Sequence, residues 1–194
     1  MTELAHDRFA IVSSESDTLI LVNERDEAIG SADKAECHDG DGLLHRAFSV
    51  LIFNTRGELL LQERASGKRL WGGYWSNSCC SHPRLGESMA EASRRRVWEE
   101  LGLSLELSYL YKFQYHAFFG DSGSERELCW VYLGVTDKRP SVNANEISRW
   151  RYIGRDELEH ELENQPETFT PWFQMEWREI RNNYGAQLDA LLHS

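Results

Sequence analysis

Sulfur and imidazole side chains occur together in the run SNSCCSHP, which spans residues 76–83. Cys79 and Cys80 are adjacent, and His82 follows two positions after Cys80. Such a run suits a metal-binding turn, a reactive thiol or a small buried strand. If the run is extended, Cys80 and His82 share one face, because side chains alternate along a strand. We therefore predict that Cys80 and His82 face a site, whereas Cys79 packs on the other side.

A helix dense in charge is predicted directly after this run, in MAEASRRRVWEELG. Ser88 and Glu91 have the spacing of a capping box at its start, and Gly102 is suited to its end. The simplest interpretation of such a helix is an amphipathic one with a solvated charged face.

The spacing of the charges favours a more specific interpretation. Five residues separate Ser81 from Glu87, seven separate Glu87 from Arg95, and Glu99 and Glu100 follow. This pattern resembles the Nudix box, in which a loop–helix–loop presents carboxylates to a divalent cation that holds a diphosphate. Carboxylate oxygens suit Mg²⁺, and Mg²⁺ bridges phosphate oxygens.

Two positions depart from the Nudix box. Ser81 stands where the box has its first glycine, and Arg96 stands where it has a glutamate that helps to bind metal and activate water. An arginine does not ligate a cation and is better suited to holding phosphate. We therefore expect a Nudix scaffold and interpret Arg96 as evidence against hydrolysis.

Three histidines and a pair of acids form a second candidate constellation. His38 and His45 flank DGDGLL, His82 precedes the box, and Glu125 and Glu127 lie two apart on a predicted strand and share a face. Structural histidines and solvated acids are the alternative. Together, three nitrogen and two oxygen ligands suit Zn²⁺, Mn²⁺ or Mg²⁺.

Taken jointly, these motifs resemble the type 1 isopentenyl-diphosphate isomerases, a family of Nudix fold in isoprenoid biosynthesis. The shared motifs run from about Lys34 to Trp172 and comprise NSCCSHP, the box altered at Arg96 and the E-x-E strand. The family interconverts isopentenyl diphosphate and dimethylallyl diphosphate by moving a proton across an allylic system. The resemblance implies this activity for the chain.

The resemblance also implies site residues, carried over motif by motif. The implied catalytic residues are Cys80, Glu127 and Tyr115. The implied ligands of one divalent metal are His38, His45, His82, Glu125 and Glu127. A second ion, Mg²⁺ bound with the substrate diphosphate, is implied at Glu100 and the backbone oxygen of Cys80. The implied substrate-binding residues are Lys34, Arg64, Lys68, Arg96 and Trp172.

The implied site residues suit the chemistry of an unactivated alkene. Protonation gives a tertiary carbocation that water would capture, so the pocket has to be dry. Trp172 would stabilise the cation by about 2 kcal/mol, although core packing is the other role such a residue takes. Cys80 would carry a proton on one face of the substrate, and Glu127 with Tyr115 would carry one on the other face. Nearby cations are expected to favour the thiolate of Cys80.

Composition limits the compartment and the partners. The chain has 194 residues and a net charge of −11, so it is long enough for a substantial core and is not expected to attract nucleic acid or anionic membranes. The first residues, MTELAHDRF, lack a secretory apolar region. The four cysteines are expected to be free thiols. We expect a cytoplasmic monomer or weak homodimer that acts on a small diphosphate.

The order of elements predicts an α+β fold, a Nudix-like α/β/α sandwich with a mixed sheet in a single domain. Residues 1–33 are expected to pack on or cap an isomerase domain formed by residues 34–194. LLHRAFSVLIFNTRGELLLQERA is predicted to be a hairpin, and TLILVNE and DEAIGSADKAE two further strands. A last helix is predicted from the cap Thr170, with one apolar stripe that reaches Leu191.

Two other functions are compatible with parts of this pattern. A Nudix hydrolase of a nucleoside diphosphate derivative would retain the box but lacks its glutamate at Arg96. A metal-binding or regulatory module would explain the histidines and acids but not Cys80 and the four cations.

Overall fold

The computed structural model describes residues 6–193, and within them it contains nine strands and five α-helices. The strands are β1 (Thr18–Val22), β2 (Ala28–Asp33), β3 (His45–Phe53), β4 (Leu59–Arg64), β5 (Trp75–Ser76), β6 (Cys79–Ser81), β7 (Ser108–Phe118), β8 (Ser124–Val135) and β9 (Ile147–Ile153). The helices are α1 (Lys34–His38), α2 (Met89–Leu101), α3 (Arg155–Asn164), α4 (Pro171–Asn183) and α5 (Gly185–Leu192). The predicted segments 1–33 and 34–194 therefore extend beyond the described residues at 1–5 and 194.

Strand β3 is the centre of a mixed sheet, and its sequence HRAFSVLIF is apolar on both faces. Along one edge it pairs in parallel with β8 over its whole length, and β8 in turn pairs antiparallel with β7. Along the other edge it pairs in succession with β1, β6 and β4. The sheet continues from β4 to β5 and β9.

The predicted hairpin of β3 and β4 is present, but its paired region is short. The two strands pair only at Phe53 and Leu59, beside the turn. The reason is that β6 occupies the same edge of β3, where Cys79 to Ser81 pair with Val50 to Phe48. Strand β4 therefore leaves β3 and pairs with β9 along its length.

Helix α2 packs on one face of the sheet. Its predicted capping box is confirmed, because Ser88 and Glu91 bond reciprocally, and Gly102 ends the helix in the left-handed conformation at φ +63°. The apolar side of α2 contributes Ala92, Val97 and Leu101 to a buried cluster with the even-numbered side chains of β3. This cluster also contains Cys79, so the prediction that Cys79 packs away from the site is confirmed.

Helices α3, α4 and α5 cover the opposite face, which carries the odd-numbered residues of β3. The predicted last helix is two helices, because the chain leaves helical geometry at Tyr184, whose ring stacks on Tyr111. Thr170 stands at the cap position but makes no capping bond; its hydroxyl instead pairs with that of Ser76 at 2.9 Å. With a helical layer on each side of one mixed sheet, the predicted α/β/α sandwich is confirmed.

The amino-terminal residues have two parts. Residues 6–17, which we name the strap, contain no helix or strand, and β1 and β2 form a hairpin that joins the sheet where Leu21 pairs with His45. The strand predicted in DEAIGSADKAE ends at Asp33, where the chain turns into α1, a helix that the sequence analysis did not predict. Among residues 6–193, no helix combines the length and apolar character needed to cross a bilayer.

Candidate active site

Five side chains, His38, His45, His82, Glu125 and Glu127, converge at one end of the sheet, and we name them the His/Glu cluster. Four different elements supply them: the end of α1, the start of β3, the residue after β6 and the start of β8. The parallel ladder sets His45 directly beside Glu127. The potential ligand atoms of all five residues lie within 4.8 Å of one another.

Short distances join the cluster's nitrogen and oxygen atoms. His38 Nε2 lies 2.7 Å from Glu125 Oε2, and His82 Nε2 lies 3.0 Å from Glu127 Oε1. His45 Nε2 lies 3.1 Å from His82 Nε2. Two buried imidazole nitrogens at this separation, beside two buried carboxylates, form a donor set that fits a divalent cation at their centre.

Backbone carbonyls orient two of the imidazoles. His38 Nδ1 lies 2.7 Å from the carbonyl oxygen of Lys34, and His45 Nδ1 lies 2.7 Å from that of Leu43. An Nδ1–H that donates to a carbonyl leaves the Nε2 lone pair free toward the cluster. These rings are therefore held in the tautomer that ligates metal through Nε2.

Two groups of the cluster have protonation states that fit metal binding, whereas the pKa of His38 is raised, because the effect of burial is outweighed by the charge of Glu125. Burial lowers the pKa of His82 to about 4, which keeps this imidazole neutral at neutral pH. Burial alone would raise the pKa of Glu127, but the interactions with His45 and His82 outweigh it and hold the pKa well below the ordinary value. A neutral imidazole and an ionised carboxylate are the forms that bind metal.

A cavity of about 480 Å³ opens beside the cluster. Most of the residues that the sequence assigned to a site line its wall. They are Lys34, His38, Arg64, Lys68, Cys80, His82, Arg96, Tyr115, Glu125, Glu127 and Trp172. His45 is fully buried behind this wall and reaches the cluster from below. Glu100 does not line the wall either. Its Oε1 accepts hydrogen bonds from Nε and Nη2 of Arg96, at 3.1 and 2.6 Å.

All four predicted substrate-binding cations lie on this wall, and three of them are close to carboxylates. Lys34 Nζ is 3.5 Å from Glu15, and Lys68 forms an ion pair with Glu146. Arg96 also lies 3.4 Å from Glu146. Arg64 forms no ion pair among residues 6–193, and its buried Nε has no hydrogen-bond partner there. It is the cation of the wall with the most donor capacity left for an anion.

The side chains predicted to carry protons stand on three strands, β6, β7 and β8. Tyr115 on β7 donates to Oε2 of Glu127 on β8 at 2.7 Å, and Glu127 is at the same time bonded to the cluster. Cys80 lies across β3 on β6, and Arg64 Nη1 approaches its sulfur at 3.6 Å. The strands of Cys80 and Glu127 are two strand spacings apart, roughly 10 Å, and the two residues are also offset along β3 by the distance from His45 to Ser49, about 13 Å.

Burial sets the protonation of Cys80 in the protein without a bound ion. Burial raises the pKa of Cys80 to about 12, and the nearby charge of Arg64 opposes this rise without cancelling it. Cys80 is therefore a neutral thiol at neutral pH. All four cysteines are free, as expected.

Trp172 is almost fully buried at the base of the cavity. Its indole N–H donates to Asn77 Oδ1 at 3.3 Å, and its ring contacts Trp71 edge to face at 5.2 Å between centroids. The guanidinium carbon of Arg64 lies 5.2 Å from the centroid of the Trp172 ring. The ring therefore already accepts a cation–π contact in this geometry.

Comparisons with known proteins agree on the family. Residues 43–173 match the NUDIX domain model. An isopentenyl-diphosphate Delta-isomerase 1 of Photorhabdus laumondii is 42% identical over 89% of this chain and 99% of its own length. An isopentenyl-diphosphate Delta-isomerase of Serratia proteamaculans is 44% identical over 80% of this chain and 86% of its own. The chain belongs to the Nudix family of isopentenyl-diphosphate Delta-isomerases.

Solved structures show the same fold at low identity. A Deinococcus radiodurans structure superposes with a TM-score of 0.70 at 22% identity, over 84% of this chain and 98% of its own. A MutT NUDIX hydrolase of Burkholderia pseudomallei superposes with a TM-score of 0.57 at 19% identity, over 71% of this chain and 98% of its own. The isomerase-family chain thus shares its scaffold with hydrolases, and its site has to be judged by its own residues.

Two residues at this site were not recognised from the sequence. Glu146 lies on the cavity wall between Lys68 and Arg96, but nothing in NANEIS distinguishes it from a surface acid. Gly123 lies under α1 with φ +136°, and a Cβ there would stand 2.2 Å from the carbonyl oxygen of His38. The glycines of GDSG were a signal for a turn, but not for this contact.

Gly123→Ala is predicted to weaken metal binding by the isomerase-family chain. The added methyl group has to push His38 away from the cluster, and disturbing the support of a ligand typically costs 10- to 100-fold in affinity. We expect a loss of about 10-fold or more in the affinity for Mn²⁺ or Zn²⁺, measured by competition with a chelator.

Gly120→Ala is the control in the same turn. Gly120 is in the left-handed region at φ +54°, and a Cβ there meets no atom within 4 Å, whereas Gly123, at φ +136° and ψ −164°, also has a backbone conformation that essentially only glycine adopts. Equal metal affinities in the two variants would contradict the proposed support of His38 by Gly123.

The alkylation of Cys80 in chelator-treated protein is predicted to accelerate steadily with pH. Because its pKa is raised to about 12, the thiolate fraction grows about tenfold with each pH unit below that value. Rates of iodoacetamide modification, read by mass spectrometry between pH 7 and 10, should show no plateau. A plateau near pH 9, the ordinary range for a thiol, would show that burial does not control Cys80.

Proposed function

We propose that the chain interconverts isopentenyl diphosphate and dimethylallyl diphosphate, the isomerase reaction of isoprenoid biosynthesis. One observation carries this function: a single cavity brings together a thiol, a Tyr–Glu pair attached to a His/Glu cluster, a buried indole and four cations. The 42–44% identity to isopentenyl-diphosphate Delta-isomerases over most of the chain supports the same reaction. The chain is an isomerase that acts on a small diphosphate.

The four cations hold the diphosphate in this proposal. Arg64 supplies an unused buried N–H, and Lys34, Lys68 and Arg96 line the same wall. Glu146 now neutralises Lys68 and Arg96, so the incoming diphosphate takes over part of its role. Binding energy from this non-reacting end positions the small hydrocarbon end.

Two metal sites fit the residues present. The His/Glu cluster would hold one divalent metal, Mn²⁺, Zn²⁺ or Mg²⁺. Glu100 and the backbone oxygen of Cys80 would hold Mg²⁺ together with the diphosphate, once Arg96 turns from Glu100 toward the phosphate. When bound, these ions supply positive charge that neutralises the diphosphate and increases the acidity of the groups they contact.

Two proton carriers act from opposite sides of the substrate. Cys80 carries a proton on one side of the substrate, and Glu127 with Tyr115 carries one on the other side. Their strands are roughly 10 Å apart and the two residues are also offset along them, so the gap between Cys80 and Glu127 accommodates a flat five-carbon chain. One carrier adds a proton to the alkene, and the other removes a proton from the neighbouring carbon, so the double bond moves.

Trp172 stabilises the carbocation between these two steps. Its buried ring already accepts the guanidinium of Arg64, and burial keeps water away from this end of the cavity. A cation over a desolvated indole gains about 2 kcal/mol.

The strap closes the site. It lines the cavity through Ile11, Ser13 and Glu15, and Arg96 donates to the backbone oxygen of Val12. We propose that residues 1–33 pack on and cap the domain that residues 34–194 form. In the cell the chain is proposed to be a cytoplasmic monomer or weak homodimer that binds neither nucleic acid nor membranes, in keeping with its acidic charge.

Hydrolysis is not favoured. Arg96 occupies the position of the catalytic glutamate of the Nudix box and is buried in ion pairs with Glu99 and Glu100. An arginine at this position holds anions and does not activate water.

The decisive assay is the conversion of isopentenyl diphosphate to dimethylallyl diphosphate by purified protein with Mg²⁺ and Mn²⁺. Cys80→Ala is expected to abolish turnover, a loss of at least 100-fold for a missing proton carrier. Cys79→Ala is the matched control, because Cys79 faces the α2 cluster; it should retain most of the activity.

Failure of the wild type to form product would contradict the proposed function. Equal losses in the two cysteine variants, with unchanged melting temperatures, would contradict the assignment of Cys80.

A further inference from the structure

Arg69 lies on the cavity wall but has no role in the reaction proposed above. It follows the predicted diphosphate cation Lys68 in the loop between β4 and β5. Although its side chain is 33% exposed, its guanidinium lies against protein groups on α1 and on residues 119–123, which we name the β7–β8 turn. The contacts of Arg69 therefore extend from the diphosphate-binding wall to the elements around the His/Glu cluster.

The guanidinium of Arg69 contacts three separate segments of the chain. Nη1 donates to the carbonyl oxygen of Ala35 in α1 at 3.3 Å, and Nη2 forms an ion pair with Asp39, the residue after α1. Nη2 also donates to the carbonyl oxygen of Ser122 in the β7–β8 turn at 3.1 Å. Nη1 lies 3.7 Å from a carboxylate oxygen of Glu15 in the strap. One planar group with several N–H donors thus joins segments that are distant in the sequence.

Two of these segments each lead into a residue of the His/Glu cluster. His38 is the last residue of α1, and Glu125 follows the β7–β8 turn at the start of β8. Nε2 of His38 and Oε2 of Glu125 lie 2.7 Å apart. Both atoms are buried, and neither makes a hydrogen bond within residues 6–193. Buried polar atoms that face each other in this way are suited to share one metal ion.

Helix α1 needs contacts from outside itself to keep its place. It has only five residues, and the side chain of its N-cap Asp33 makes no capping bond. Isolated helices of this length are unstable in water, so tertiary contacts have to hold α1. Arg69 bonds to Ala35 within the helix and to Asp39 directly after it, and so restrains the chain on both sides of His38.

We propose that Arg69 is a positioning residue for the metal of the His/Glu cluster. It holds α1 against the β7–β8 turn and so keeps His38 and Glu125 at the separation that one ion requires. This proposal rests on the proposed function, because that function places a divalent metal in the cluster. The alternative role for Arg69 is that of a fifth cation for the diphosphate, and the test separates the two.

Charge and geometry predict opposite effects of replacing Arg69. A guanidinium repels a metal ion, so the loss of its charge alone would strengthen metal binding. Loss of its contacts to Ala35 and Ser122 would instead release α1 from the turn and weaken metal binding. Removing a group that orients a metal ligand typically costs about 10- to 100-fold in affinity. The sign of the change therefore distinguishes positioning from an effect of charge.

The test measures the affinity for Mn²⁺ by competition with a chelator. In Arg69→Gln the affinity should fall about 10-fold or more. Arg69→Lys keeps the charge but has no planar fork to join the two segments, so it should show a similar fall even if Arg69→Gln fails to fold. The electron paramagnetic resonance spectrum of the bound Mn²⁺ should also change in both variants, because it depends on the arrangement of the ligands.

Turnover of isopentenyl diphosphate adds a second readout. At limiting Mn²⁺, kcat of Arg69→Gln should fall, whereas saturating Mn²⁺ should restore it. KM should stay at the wild-type value once the metal is bound, because Arg64 and Lys68 remain to hold the diphosphate.

Arg155→Gln is the matched control. Arg155 is 36% exposed, is paired with Asp189 at 2.8 Å, and lies at the start of α3, away from the cavity wall. This variant loses an arginine–aspartate pair of similar exposure, and its affinity for Mn²⁺ should equal that of the wild type.

A failure of the metal site is distinguishable from a failure of this proposal. Wild-type protein that binds no Mn²⁺ would contradict the metal site of the proposed function, and this proposal with it. An unchanged or higher affinity for Mn²⁺ in both Arg69 variants would overturn this proposal alone. A raised KM that saturating Mn²⁺ does not restore would also overturn it, because it would indicate that Arg69 binds the diphosphate directly.

Discussion

The parallel pairing of β3 with β8 is the constraint on which the site depends. It places His45 beside Glu127 at one end of a ladder that continues without interruption to Phe53 and Val135. The opposite edge of β3 holds β6, which brings Cys80 to the same face one strand away from the ladder. Three adjacent strands therefore position His45, Glu127 and Cys80, while His38 reaches the cluster from the end of α1 and His82 from the residue after β6. Rigid strands hold the geometry of a site more accurately than loops.

Burial of charge is the second requirement of this architecture. The cavity wall contains cations that would each be expensive to bury alone, and three of the four predicted substrate-binding cations, Lys34, Lys68 and Arg96, are stabilised by a neighbouring carboxylate. Burial and Glu146 act on Lys68 in opposite directions, and burial prevails, so the pKa of Lys68 is lowered. Glu146 therefore holds a cation that gives up its proton more easily than a surface lysine. In the proposed function, a diphosphate that enters with Mg²⁺ would replace the ion pairs of Glu146 with its own contacts to Lys68 and Arg96.

Much of this arrangement was accessible from the sequence, because local patterns encoded it. The capping box at Ser88, the terminating Gly102 and the alternation that separates Cys79 from Cys80 all act over a few residues. The site residues could be assembled because their motifs resemble a family whose fold was already known. Spacing alone would have left the five ligands on unrelated segments.

What the sequence did not reveal depends on contacts between distant segments. The partner of β4 was decided by competition between β4 and β6 for one edge of β3. The role of Glu146 depends on its ion pair with Lys68, and that of Gly123 on its close approach to the carbonyl of His38. Only the fold brings these residues together. The protonation of Cys80 could not be derived from the sequence, because motifs indicate nearby cations but not the depth of burial.

The proposed function requires the His/Glu cluster to hold a metal beside a diphosphate-binding wall. The most direct measurement is a crystal structure of the protein with Mn²⁺ and inorganic diphosphate, with anomalous scattering used to locate the metal. We expect a peak at the centre of the five ligands and a diphosphate in contact with Arg64 and Lys68. An empty cluster, with manganese held instead at Glu87 and Glu99 of the Nudix box, would contradict it.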